Sequence, residues 1–91
     1  MSELLKVFAQ RLKQARILKK MSMDQLVANI GGIITKQAIS KYETAKMMPN
    51  STVLVALATA LDVDADYFFR PFTFDVNELK VSPEGVGNVG F

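Results

Sequence analysis

The side chains best equipped for chemistry lie close together: Thr35, Lys36, Gln37, Ser40 and Lys41, then Lys46, with Ser22 a short way upstream. They are hydroxyls, an amide and ammonium groups, which donate hydrogen bonds and carry positive charge. That is the chemistry of recognition, not of making or breaking bonds. The chain has no histidine and no cysteine. The usual general base, the thiolate nucleophile and the commonest transition-metal ligands are therefore missing together. The remaining carboxylates, lysines, tyrosines and hydroxyls form no recognisable catalytic cluster. Gly85, Gly87 and Gly90 lack the strand-to-helix setting of a phosphate loop. These residues imply a protein that is not an enzyme and that needs no cofactor and no metal.

Charge points to the class of partner. Residues 1–46 hold nine Lys/Arg against three Asp/Glu, a net +6, whereas residues 47–91 hold two against six, a net −4. One half is therefore suited to a polyanion and the other is not. No apolar run reaches the roughly 18–20 residues of a membrane span. Met1-Ser2-Glu3-Leu4-Leu5-Lys6 lacks the long uncharged core of a signal peptide. A soluble, cytoplasmic chain with one small domain is expected, with no membrane partner.

The elements that must position these residues read as short helices. Leu5, Phe8, Leu12 and Ala15 recur at spacings of three and four, predicting a helix from about Glu3 to Lys19. Ser22 with Gln25 three residues on has the form of a capping box, starting a helix from Met23 to Ile30 with Leu26, Val27 and Ile30 inward. Gly31-Gly32 ends it. Thr35 caps a third helix, Lys36 to Glu43, with Ala38, Ile39 and Tyr42 as its only obvious inward anchors, so the rest of it faces water or a partner. Asn50 or Ser51 caps a fourth, running to Leu61 and apolar nearly all round, as expected of a helix buried on more than one side. Asp64 caps a fifth, Ala65 to Phe69, ended by Arg70-Pro71. Beyond it Phe72, Phe74 and Val76 alternate with Thr73, Asp75 and Asn77, the period of a strand or extended arm. The glycines after Ser82 suggest a flexible end. The expected organisation is an all-α domain over 1–70, followed by an extended arm and tail over 71–91.

Four stretches in this order carry a family resemblance: Arg11-Leu12-Lys13-Gln14-Ala15-Arg16, Ser22-Met23-Asp24-Gln25-Leu26, Thr35-Lys36-Gln37-Ala38-Ile39-Ser40-Lys41-Tyr42-Glu43, and Leu57-Ala58-Thr59-Ala60-Leu61-Asp62-Val63. Residues 11–70 resemble the lambda-repressor-like helix-turn-helix family of bacterial and phage regulators, the Cro/C1 or XRE class. The resemblance implies a five-helix DNA-binding domain whose third helix enters the major groove of double-stranded DNA. By similarity Lys36, Gln37, Ser40 and Lys41 occupy base-reading or groove-facing positions. The physics agrees: Gln37 can pair with both N6 and N7 of adenine, and a lysine can donate to guanine or to phosphate. The free N–H groups after Ser22 and Thr35 suit phosphate, and Lys46 matches the family's loop contact to the backbone. Lys19 and Lys20 read better as a solvated basic face. Arg16 and Glu43 stand where the family has a structural ion pair holding the recognition helix, with Arg16 also within reach of phosphate.

Three departures bear on docking. Met23 stands where glutamine is common and cannot replace its hydrogen bond. Gly31-Gly32-Ile33-Ile34 makes the turn about two residues longer than the family's usual Gly-Val, so the tilt of the third helix does not carry over. Thr44-Ala45 replaces a common Asn-Gly, so the loop after the third helix is expected to lack its usual left-handed residue. The family reading implies a sequence-specific regulator binding a palindrome as a homodimer. Val53, Val55 and Thr59, the run Tyr67-Phe68-Phe69 and the arm Phe72–Val76 are candidate dimer surfaces. A different class of function, an antitoxin-type module whose residues 71–91 hold a protein partner, is the alternative.

Overall fold

A computed structural model of the chain describes residues 3–70, all of whose regular structure is helical. The elements are α1 (Glu3–Leu18), α2 (Met23–Asn29), α3 (Lys36–Glu43), α4 (Ser51–Leu61) and a closing 3-10 helix, Ala65–Phe69. The anticipated arm and tail, including Phe72–Val76, lie outside the described residues, as does any partner site they carry.

Side-chain caps start three helices. Ser22 Oγ accepts from the Gln25 N–H at 3.0 Å while Gln25 Oε1 accepts from the Ser22 N–H at 2.7 Å, a complete capping box. Thr35 Oγ1 accepts from the Ala38 N–H at 3.1 Å, and Asn50 Oδ1 from the Val53 N–H at 2.9 Å. Each such cap is worth about 1 kcal/mol. The fifth helix departs from expectation: it is 3-10, and Asp64 makes no capping hydrogen bond through its side chain.

Helix ends are closed by left-handed residues. Glycine serves only after α2, where Gly31 and Gly32 have φ of +76° and +70°. After α1 the residue is Lys20 (φ +58°), after α3 Ala45 (φ +61°) and after α4 Asp62 (φ +58°). At α3 the Ala45 N–H bonds the Tyr42 carbonyl and the Lys46 N–H bonds the Lys41 carbonyl, the paired hydrogen bonds of a Schellman motif. The left-handed position expected to be lost with Asn-Gly is therefore present, held by an alanine.

The core gathers one stripe from every element: Phe8 and Leu12 of α1, Leu26 of α2, Ile39 of α3, Leu57 and Leu61 of α4, and Phe68. Each of these buried side chains contributes about 1.5–3 kcal/mol. Phe8 sits at the centre, edge-on to Phe68 at 5.3 Å and to Tyr42 at 6.4 Å, and stacked on Phe69 at 6.0 Å. α4 is less enclosed than its composition suggests. Val53, Leu57, Ala58 and Leu61 face inward, but Val55 is 58% exposed and Thr59 is exposed. Val53 and Phe68 are core residues and drop out of the candidate dimer surface.

Candidate nucleic-acid interface

α3 presents two unlike faces. Ile39 and Tyr42 turn into the core, with Glu43 buried beside them. Opposite lie Gln37 and Lys41, exposed and four residues apart, with the half-buried Ser40 between them. Residues at this spacing share one helix face. No hydrogen bond engages the Gln37 amide among the described residues, so its donor and acceptor both face solvent. At the N-terminus, Thr35 satisfies the Ala38 N–H and leaves the earlier N–H groups of the first turn outside the intrahelical ladder. At the other end Lys46 is exposed, at the close of the Schellman turn.

Behind this face α3 is fastened to α1. Arg16 Nε donates to Glu43 Oε2 at 2.7 Å, Nη2 donates to Oε1 at 3.0 Å, and Nη1 donates to the Met21 carbonyl at 2.9 Å. The Glu43 side chain is 2% exposed and that of Arg16 12%. The hydrogen bond to Glu43 raises the Arg16 pKa above its already high ordinary value, with burial opposing it, so Arg16 is charged throughout the accessible range. All three of its nitrogens are engaged within the protein, an arrangement that holds α3 in place and does not offer Arg16 to an anion.

Lys36 faces solvent at the start of α3, where its Nζ lies 3.5 Å from Asp24 Oδ2 on the first turn of α2. Both partners are exposed, and such pairs are worth about 0–1 kcal/mol. The contact therefore orients Lys36 without tying it down. Met23, unable to hydrogen-bond, is half-buried against the core. Ser22 is exposed with its oxygen committed to the capping box. Of the two basic residues after α1, Lys19 lies 3.8 Å from Asp62 and Lys20 adopts the left-handed turn.

Two relationships around the site have no local sequence signal. Asp24 and Lys36 are twelve residues apart, and nothing in either stretch announces their meeting. Arg11 is one of the cations of the basic half, yet its Nε donates to the Arg70 carbonyl at 2.7 Å and its guanidinium lies 5.1 Å from the centre of the Tyr67 ring. It secures the end of the domain to α1. Among the described residues no cluster of carboxylates could hold a metal ion, and no helix is long and apolar enough to cross a membrane.

Comparison with known proteins agrees with this geometry. A family model described as helix-turn-helix matches residues 12–68. The chain is 32% identical over 80 residues to the uncharacterized SPbeta prophage-derived HTH-type transcriptional regulator YonR of Bacillus subtilis, covering 86% of this chain and 72% of that protein. It is 39% identical over 61 residues to the uncharacterized HTH-type transcriptional regulator YobD of the same organism, covering 67% of this chain but only 53% of YobD. Among solved structures, the restriction-modification controller protein C.AhdI from Aeromonas hydrophila superposes with a TM-score of 0.65 at 28% identity, over 71% of this chain and 96% of that one. With a capped α2, a glycine turn and an outward-facing α3, and with more than half its length matched, this chain belongs to the helix-turn-helix family of DNA-binding transcriptional regulators.

Proposed function

We propose that this regulator reads a palindromic operator as a homodimer, with α3 of each copy in the major groove. The observation that carries the reading is the two-faced α3: one side is held by Ile39, Tyr42 and the Arg16–Glu43 pair, while the other sets Gln37, Ser40 and Lys41 toward solvent. A helix held rigidly from behind can present donors to base edges without losing backbone freedom on binding. Gln37 reads a base, Lys36, Ser40 and Lys41 support it in the groove, and Ser22, Thr35 and Lys46 position the phosphates. Such a regulator acts in the cytoplasm, where bacterial DNA is.

Symmetry follows from size. A single module of this kind buries only about 600–1,000 Å² on DNA, too little for tight operator binding alone. Two copies on half-sites one helical turn apart overcome that limit. The exposed Val55 and Thr59 of α4, with Thr59 and the half-buried Tyr67 lining one surface pocket, support a self-complementary surface there. The likeness to YonR covers 86% of this chain and so runs past Arg70, which keeps the arm Phe72–Val76 as a second contributor.

Selection from random duplexes at several salt concentrations tests the reading. An enriched palindrome with a steep salt slope is expected, and failure to bind any duplex at low salt would sink it. Sedimentation of the full chain, free and on the selected duplex, tests the dimer. A monomer in both states contradicts it.

A further inference from the structure

We infer that Ile33 is an additional specificity contact, placed at the lip of the major groove to pack against the 5-methyl group of a thymine. The inference rests on the reading that α3 enters that groove.

Ile33 and its neighbour Ile34 are chemically identical, yet the fold treats them oppositely. Ile34 packs half-buried against the core, whereas Ile33 is 53% exposed. The turn that carries them stands clear of the body. Gly31 and Gly32 both have positive φ, their N–H groups close the end of α2 on the carbonyls of Ala28 and Val27, and a Cβ built at either glycine would meet nothing within 4 Å. Two residues after Ile33, Thr35 caps α3. Two peptide units span at most about 7 Å, so Ile33 lies within that distance of the helix end that leads α3. Lys36 and Gln37, the first exposed donors of the reading face, follow directly.

A lone aliphatic residue on a surface ordinarily needs no explanation. Position decides this case. An aliphatic side chain has no favourable partner among phosphates or base-edge donors and acceptors, and the one apolar group the major groove displays is the thymine methyl. Ile33 is therefore matched to that group in the same way that Gln37 is matched to adenine.

The test uses the full-length protein and its selected operator. Each thymine is replaced in turn by deoxyuridine, which removes only the 5-methyl group, and Kd is measured for the wild type and for Ile33→Ala. At one thymine per half-site the replacement is expected to weaken the wild type about fourfold, the worth of one buried methyl, and to leave Ile33→Ala unchanged. Ile33→Val, shorter by one methyl, should respond in between. Identical uridine profiles for wild type and Ile33→Ala overturn the inference, as does an operator with no sensitive thymine. If the wild type still binds and Gln37→Ala still weakens it, the reading of α3 survives that failure. A wild type that binds no duplex overturns both.

Discussion

Arg16 and Glu43 meet side-on across the α1–α3 contact, Nε to Oε2 at 2.7 Å and Nη2 to Oε1 at 3.0 Å, with the Glu43 side chain almost wholly buried. Two parallel bonds between planar groups fix orientation as well as distance. Removing one partner leaves the other charge buried and uncompensated, so Glu43→Gln is expected to lose about 3 kcal/mol in urea unfolding. The double variant Arg16→Met/Glu43→Leu removes both charges and should recover to within about 1 kcal/mol of the wild type. A loss for Glu43→Gln no greater than that of an exposed pair would show that water reaches the site.

Next to Glu43, burial raises the pKa of the Tyr42 phenol above its ordinary value of 10.0. The unfolded chain releases this proton near pH 10, whereas the folded chain keeps it until a higher pH. The stabilising contribution is thus fully present below pH 10 and is lost as pH rises toward the folded value. Thermal unfolding across pH 9–11 should show a steeper loss of stability for the wild type than for Tyr42→Phe. Parallel curves would place the phenol in water.

Lys20 and Ala45 share a left-handed backbone but not an environment. A residue other than glycine in this conformation costs about 1–2 kcal/mol, and glycine removes that cost while adding entropy to the unfolded chain. Lys20 is exposed, so Lys20→Gly should gain about 0.5–1 kcal/mol. Ala45 is buried, and Ala45→Gly also forfeits a methyl contact worth about 0.8 kcal/mol, which leaves it near neutral. Chemical denaturation of the two variants side by side checks the contrast.

How much of this was legible in the sequence depended on the range of the interaction. Ser22 with Gln25 and Thr35 with Ala38 are three-residue relationships, and both caps were readable from spacing alone. The inward anchors Ile39 and Tyr42 followed from helical period. Lys20 and Ala45 gave no warning, because the hydrogen bonds that close α1 and α3 hold each in a conformation that its residue type does not favour. Nor did the Asp24–Lys36 and Arg11–Arg70 contacts, which join elements whose relative placement no local pattern encodes. The exposure of Val55 was hidden for the opposite reason: an apolar composition does not say which side of a helix the rest of the protein covers.

Gln37 and Lys46 should fail in different ways on DNA. Gln37→Ala is expected to cost about 1–3 kcal/mol on the selected operator and to relax preference at one base position. Lys46→Ala should weaken all sequences nearly equally and lower the slope of log K against log salt by about 1. Binding by both variants across a panel of single-base operator changes and salt concentrations separates the roles. A uniform loss for Gln37→Ala would make it a backbone contact.

Asp24 offers a substitution expected to strengthen binding. Its carboxylate lies 3.5 Å from Lys36 Nζ, at the end of α2 that faces the start of α3. On DNA that carboxylate would both compete with phosphate for Lys36 and repel the polyanion. Asp24→Asn removes both effects while keeping the side chain's shape, so affinity should rise for every duplex, and rise more at low salt than at high, because the repulsion it removes is screened by ions. The same carboxylate sits favourably at the N-terminus of α2, and losing it should lower stability by about 0.3–1 kcal/mol. Tighter binding by a slightly less stable protein is the signature, read from Kd at two salt concentrations beside a thermal melt. Unchanged affinity would mean that Lys36 stays with neither partner and that the first turn of α3 stands farther from the phosphates than the reading requires.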